Sequence, residues 1–163
     1  GTHARDKDAV VASMLICEMA AYYKSQGKTL IDVMNGLYDE FGYYCNTVQS
    51  YTFEGAAGME KMAAIMDGLR DNKPSSFAGY EVTKIDDYRT SKSTIVKTGE
   101  ESEITLPKSN VLAYTLTNGN KVIVCPSGTE PKIKAYITAI GQSEENAKEI
   151  AQRLLNDANE LMK

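Results

Sequence analysis

Apolar residues fall along this chain in two rhythms, and the change between them comes at Tyr43. Before it the spacing is helical. From Ala9 to Lys24 apolar residues lie on nearly every side, among them Val10, Val11, Met14, Leu15, Ile16, Met19 and Tyr23, which predicts a helix that wants burial on several faces. Asp8 is placed to cap it, and Asp6 adds negative charge near its start. Gly27 ends it. Thr29 then opens a second helix with Asp32 at the capping-box position, and Leu30, Val33, Met34, Leu37 and Phe41 give that helix one apolar face before Gly42 stops it. The two helices form an αα-hairpin that suits the tail of a preceding domain. Nothing in the chain would cover the first helix on every side, which points to sequence upstream of Gly1.

From Tyr43 the pattern alternates. Tyr44–Phe53 is rich in Tyr, Val and Thr and predicts a strand. A Gly-containing stretch, Glu54–Gly58, leads into a helix with Met62, Ile65, Met66 and Leu69 on one face; its methionines read as core filler. Further strands are expected at Tyr80–Ile85, Val111–Thr117, Lys121–Val124 and Ile133–Ile140. Asn118-Gly119 between two of them is a strong hairpin signal. Asp86–Asn110 is polar and reads as the least ordered part, with a turn at Thr98–Glu101 and a solvated carboxylate run at Glu100, Glu101 and Glu103. Ser143 caps a last helix whose buried stripe is Ala147, Ile150, Ala151, Leu154, Ala158 and Leu161. The order is β-α-β4-α. That predicts an α+β layer, a mostly antiparallel sheet with two helices on one face, preceded by the αα-hairpin.

Composition narrows the function classes. The chain has 163 residues, 42% apolar and 25% charged, with a net charge of −4. No global basic field recruits nucleic acid or an anionic membrane, so any bound anion must be held by local geometry. No apolar run approaches the roughly 20 residues that span a bilayer, and no signal-peptide pattern opens the sequence. Cys17, Cys45 and Cys125 lack metal-type spacing; Cys17 and Cys45 read as buried thiols, and a reducing cytoplasm is the simplest compartment.

One stretch carries candidate chemistry: Cys125-Pro126-Ser127-Gly128-Thr129-Glu130-Pro131-Lys132-Ile133-Lys134, between two strands. Gly128 would let backbone N–H groups face an anion, Ser127 and Thr129 add hydroxyl donors, and Lys132 and Lys134 supply charge. The same residue types also make an ordinary turn, and chemistry alone leaves both readings open.

This stretch resembles the phosphate-binding loop near the C-terminus of the α-D-phosphohexomutases, R-P-S-G-T-E-P-K-I-K, and Arg5-Asp6-Lys7-Asp8 resembles the Arg-Asp/Glu-Lys-Asp segment of their third domain. The phosphoglucomutase/phosphomannomutase branch is the most similar, and the resemblance spans essentially the whole chain. It implies a four-domain enzyme that interconverts hexose 1- and 6-phosphates through a hexose bisphosphate, with a phosphoserine in the first domain and a Mg²⁺ site in the second. Residues 1–42 would then be the helical tail of the third domain and residues 43–163 the fourth, with a TATA-box-binding-protein-like fold. Partners would be a phosphosugar and the upstream domains of the same polypeptide.

Carried over position by position, the resemblance makes Ser127, Gly128 and Thr129 ligands of the non-reacting phosphate, with Lys132 and Lys134 beside it. Lys7 falls on the segment's lysine, for substrate contact and general acid/base work; it could equally pair with Asp6 or Asp8. Arg5 ranks lower and His3 lower still. No metal ligand is expected in this chain, which lacks the phosphoserine and aspartate loops. One position departs: where the family has arginine before Pro-Ser-Gly-Thr, this chain has Cys125, which cannot make a bidentate, permanently charged contact. A stand-alone phosphate-binding module without catalysis is the alternative, slightly favoured by Cys125. A structural α+β domain with no ligand is the third.

Overall fold

Local capping chemistry shapes the N-terminal helices as the sequence anticipates. The computed structural model describes residues 7–55 and 57–162, and the chain divides into two compact units, Gly1–Gly42 and Tyr43–Lys163. In the first, the Asp8 carboxylate accepts the Val11 N–H at 3.0 Å and starts α1 (Ala9–Ser25). The N–H groups of Gly27 and Lys28 close the helix on the carbonyls of Lys24 and Tyr23, both at 3.0 Å, in a Schellman arrangement. Thr29 and Asp32 then exchange the two bonds of a capping box at the start of α2 (Leu30–Phe41), at 3.2 and 2.8 Å. The hydrogen bond from the Thr29 hydroxyl is the main reason the Asp32 carboxyl lies below its ordinary value.

No residue of α1 or α2 is buried. This corrects one expectation: Cys17 is exposed, not a buried thiol, because Val10, Met14 and Ile16 around the same helix are exposed as well. Cys45 is half-buried.

The second unit runs β1 (Tyr43–Thr52), α3 (Gly58–Asp71), β2 (Ser76–Phe77), β3 (Tyr80–Asp87), β4 (Lys92–Ile95), β5 (Glu101–Glu103), β6 (Leu112–Leu116), β7 (Lys121–Pro126), β8 (Lys132–Gly141) and α4 (Glu144–Leu161). Among the described residues these strands form one sheet in the order β1-β8-β7-β6-β3-β4-β5, with β2 paired to β3, and every pairing is antiparallel. Alternation along β8 sends Ile133, Ala135, Ile137 and Ala139 to one face, where they are buried. They join Val122, Val124, Tyr114 and Leu116 in a core closed by Met62, Met66 and Leu69 of α3 and by Ile150, Ala151, Leu154 and Ala158 of α4. Both helices therefore share one face, and neither α3 nor α4 covers the other, which we call the outer face.

The stretch 86–110, expected to be the least ordered, instead extends the sheet. β4 and β5 form a hairpin on its edge, with Lys92 paired to Glu101 at 2.7 Å, so the carboxylate run is exposed but not simply solvated. Backbone bonds from Tyr88 to Val111 (3.1 Å) and from Ile104 to Ser91 (2.9 Å) tie its ends down. The alternation signal is missing because β5 is exposed at every position, so both of its faces are polar.

Two tight turns use paired left-handed residues. Asn118 (φ 66°) and Gly119 (φ 77°) join β6 to β7, as their sequence predicts. Ala78 (φ 52°) and Gly79 (φ 82°) join β2 to β3, and there an alanine occupies a conformation that costs about 1–2 kcal/mol. Helix α4 holds that turn: the Asp157 carboxylate accepts the Ala78 N–H at 2.6 Å, and the Arg153 guanidinium donates to the Ala78 carbonyl at 2.6 Å. Asp157→Ala is expected to cost about 1 kcal/mol of stability, a value held down by the exposure of the bond, measurable by urea denaturation. An unchanged midpoint would mean that the turn holds itself.

Candidate functional site

β7 and β8 are joined by Ser127–Pro131, and the ladder closes below the loop with the Ser127 N–H on the Lys132 carbonyl at 2.8 Å. The Ser127 hydroxyl oxygen accepts the N–H groups of Thr129 (3.4 Å) and Glu130 (3.2 Å). Two backbone donors thus converge on one oxygen. The Lys132 ammonium pairs with Glu130 at 3.3 Å, and the Lys132 N–H donates to the Glu130 carbonyl at 2.7 Å. Gly128, Thr129 and Glu130 are exposed and Ser127 is half-buried.

Backbone strain does not demand glycine at Gly128. It lies outside the left-handed region, and a Cβ there would meet nothing within 4 Å. Neither the backbone nor the packing of this chain requires glycine at that position. What its missing side chain leaves is open space over the loop.

The base of the loop is braced from β1 and α3. The Phe53 N–H donates to the Pro131 carbonyl at 2.8 Å, and a Cβ on Gly58 would stand 2.3 Å from the Phe53 carbonyl oxygen and 3.0 Å from Pro131 Cβ. The glycine at the start of α3 is therefore a close-packing position next to the loop. Of the Glu54–Gly58 stretch, Ala56 lies outside the described residues.

Strand alternation fixes which way the basic residues point. Lys134 lies between the buried Ile133 and Ala135 and is exposed on the outer face. Its cross-strand neighbours are Ser50 on β1 and Cys125 on β7, while Thr52 pairs with Lys132. Register thus places Ser127, Lys132 and Lys134 on one side of the sheet and adds two hydroxyl residues, Ser50 and Thr52, that local pattern could not find. Lys134 has no ion pair among the described residues. Lys7 lies in the other unit, exposed, just before α1; Asp8 beside it caps that helix. Arg5, Asp6 and His3 lie outside the described residues. Among the described residues no cluster of three or more His, Cys, Asp or Glu could hold a metal ion, and no helix is long and apolar enough to cross a membrane.

No family model matches the chain. Individual proteins do. A phosphoglucomutase of Staphylococcus haemolyticus is 36% identical over 152 residues, 93% of this chain and 27% of that protein. One from Staphylococcus epidermidis is 38% identical over 154 residues, 94% of this chain and 27% of that protein, and one from Staphylococcus aureus 41% over 134 residues, 82% and 24%. By sequence, the chain is similar to part of these phosphoglucomutases. It spans about a quarter of the length of the curated phosphoglucomutases it matches. The fold agrees: the crystal structure of parafusin, a phosphoglucomutase from Paramecium, in its open form, superposes with a TM-score of 0.61 at 17% identity, covering 99% of this chain and 28% of that one. Within this phosphoglucomutase-like chain, the β7–β8 loop brings together two hydroxyls and convergent N–H groups, with Lys132 and Lys134 on the strand that follows.

Proposed function

We propose that this chain is the phosphate-clamping part of a phosphoglucomutase or phosphomannomutase that interconverts hexose 1- and 6-phosphates. The observation that carries this is the loop: Ser127 and Thr129 lie in the β7–β8 connection, with Lys132 and Lys134 on the strand that leaves it, around a glycine the fold does not need. An arriving phosphate oxygen takes the place of the Ser127 oxygen as acceptor for the Thr129 and Glu130 N–H groups, and the hydroxyl turns to donate. Lys134, which has no ion pair among the described residues, supplies charge, and Lys132 exchanges Glu130 for the phosphate.

The clamp's task is positioning. It holds the non-reacting phosphate while the other end of the sugar meets the catalytic serine, and the hexose bisphosphate then reverses between two such orientations. The clamp must therefore read phosphate strongly and the ring weakly. Lys7 is assigned substrate contact and proton transfer. When bound, Mg²⁺ would neutralise charge on the transferring phosphoryl group; it is assigned, with the serine, to the remainder of the polypeptide, and the compartment to the cytoplasm.

Titration of this chain with inorganic phosphate or glucose 1-phosphate should shift the amide signals of Ser127–Glu130 and Lys134. Combined Ser127→Ala and Lys134→Ala should weaken binding roughly 10- to 100-fold. Responses confined to distant residues would overturn the assignment. The chain by itself should show no mutase turnover with Mg²⁺ and a hexose bisphosphate, and measurable turnover would contradict its role as a clamp alone.

A further inference from the structure

The outer face carries an aromatic ring beside the loop that phosphate binding does not use. Tyr136 is two residues along β8 from Lys134, so both point to the same side, about 7 Å apart. Tyr136 is 42% exposed, although its strand is flanked by β1 and β7 on either side. Its cross-strand neighbours are Val48, 51% exposed, on β1 and the half-buried Ile123 on β7. These three form an apolar band across three strands. Polar rows border it: Ser50, Lys134 and Cys125 on the loop side, and Asn46, Thr138 and Lys121 on the other, with the Thr138 hydroxyl donating to Asn46 at 2.8 Å.

We propose that Tyr136 is the platform on which the sugar ring of the clamped phosphosugar lies, a proposal that rests on the phosphate clamp above. A phosphate held by Ser127–Glu130 and Lys134 has its ester oxygen and carbon skeleton next to the loop. Along the outer face, the next surface is the Tyr136 ring. A sugar's axial C–H bonds carry partial positive charge and meet the negative face of an aromatic ring, while Val48 and Ile123 keep water from the edges.

The chemistry suits the task. A clamp that accepts both orientations of one hexose cannot rely on hydrogen bonds to particular hydroxyls. Stacking supplies affinity without reading which carbon bears the phosphate. Tyr136 is thus a positioning residue with broad tolerance for hexose phosphates.

The test compares two probes on the whole chain. Tyr136→Ala should weaken glucose 1-phosphate binding roughly 3- to 10-fold and leave inorganic phosphate binding unchanged, while Tyr136→Phe should retain both. Upfield ring-current shifts of the sugar C–H protons should appear with the parent chain and Tyr136→Phe, and vanish with Tyr136→Ala. Equal weakening of both probes, or none of either, overturns the platform while the clamp stands; the latter is expected of a ring that packs against other protein. Failure of the parent chain to bind inorganic phosphate at all removes the clamp, and the platform falls with it.

Discussion

Replacing Tyr114 with alanine should cost about 3–5 kcal/mol, more than any other single truncation argued for this protein. Tyr114 sits on β6 in the middle of the sheet, fully buried, with its ring 5.3 Å from Phe77. Its hydroxyl donates to the Leu69 carbonyl at 3.4 Å, so it also ties the end of α3 to the sheet. Truncation leaves a cavity among β2, β6 and α3 and strips a partner from a buried carbonyl. A loss on the order of 10–20 °C in Tm follows for a unit of this size. Circular dichroism melts measure it, and a shift under a few degrees would mean that the core collapses to fill the space.

The same residue sets an alkaline limit. Burial pushes the Tyr114 phenol well above the tyrosine range near 10, with Asp87 adding to the shift and Arg70 opposing it. The unfolded chain can ionise where the folded one cannot, so the stabilisation is complete below about pH 10 and is lost as pH rises beyond it. Tyr114→Phe should flatten that fall. It should not abolish it, because burial also raises the phenol of Tyr51.

Most of the fold was legible because it is written in local rhythm. The alternation of β1 and β8, the stripe of α4, the Asn118-Gly119 turn and the caps at Asp8, Thr29 and Ser143 each lie within a few residues of chain. The β4–β5 hairpin was not, since a polar edge strand buries neither face. Nor was the reason for Gly58, which lies in its close approach to the Phe53 carbonyl oxygen, with Pro131 also crowding it from across the fold. The candidate site divides in the same way. Ser127 to Lys134 is one continuous motif, but Ser50, Thr52 and the Val48–Tyr136–Ile123 band exist only through β1–β8 and β7–β8 register, which brings distant residues side by side.

Cys125→Arg should tighten phosphate binding roughly 10- to 100-fold, the equivalent of about 1.5–3 kcal/mol for a charge-assisted contact. Cys125 is directly opposite Lys134 and half-buried, with its thiol 3.8 Å from the Pro126 carbonyl. A guanidinium there shares the outer face with Lys134 at the foot of the loop. Without an anion, two cations side by side across the strands repel, and the folded state should lose a few tenths of a kcal/mol. With phosphate present the repulsion becomes shared attraction, so the variant should be slightly less stable than the parent in phosphate-free buffer and more stable in phosphate. That reversal separates a charge aimed at the ligand from one that merely raises the local field. Rising salt should erode the gain, and Cys125→Lys should recover only part of it, because an ammonium cannot make two parallel bonds. Equal phosphate affinity in parent and arginine variant would place residue 125 away from the anion. The serine, threonine and lysines of the loop would then be its whole binding surface.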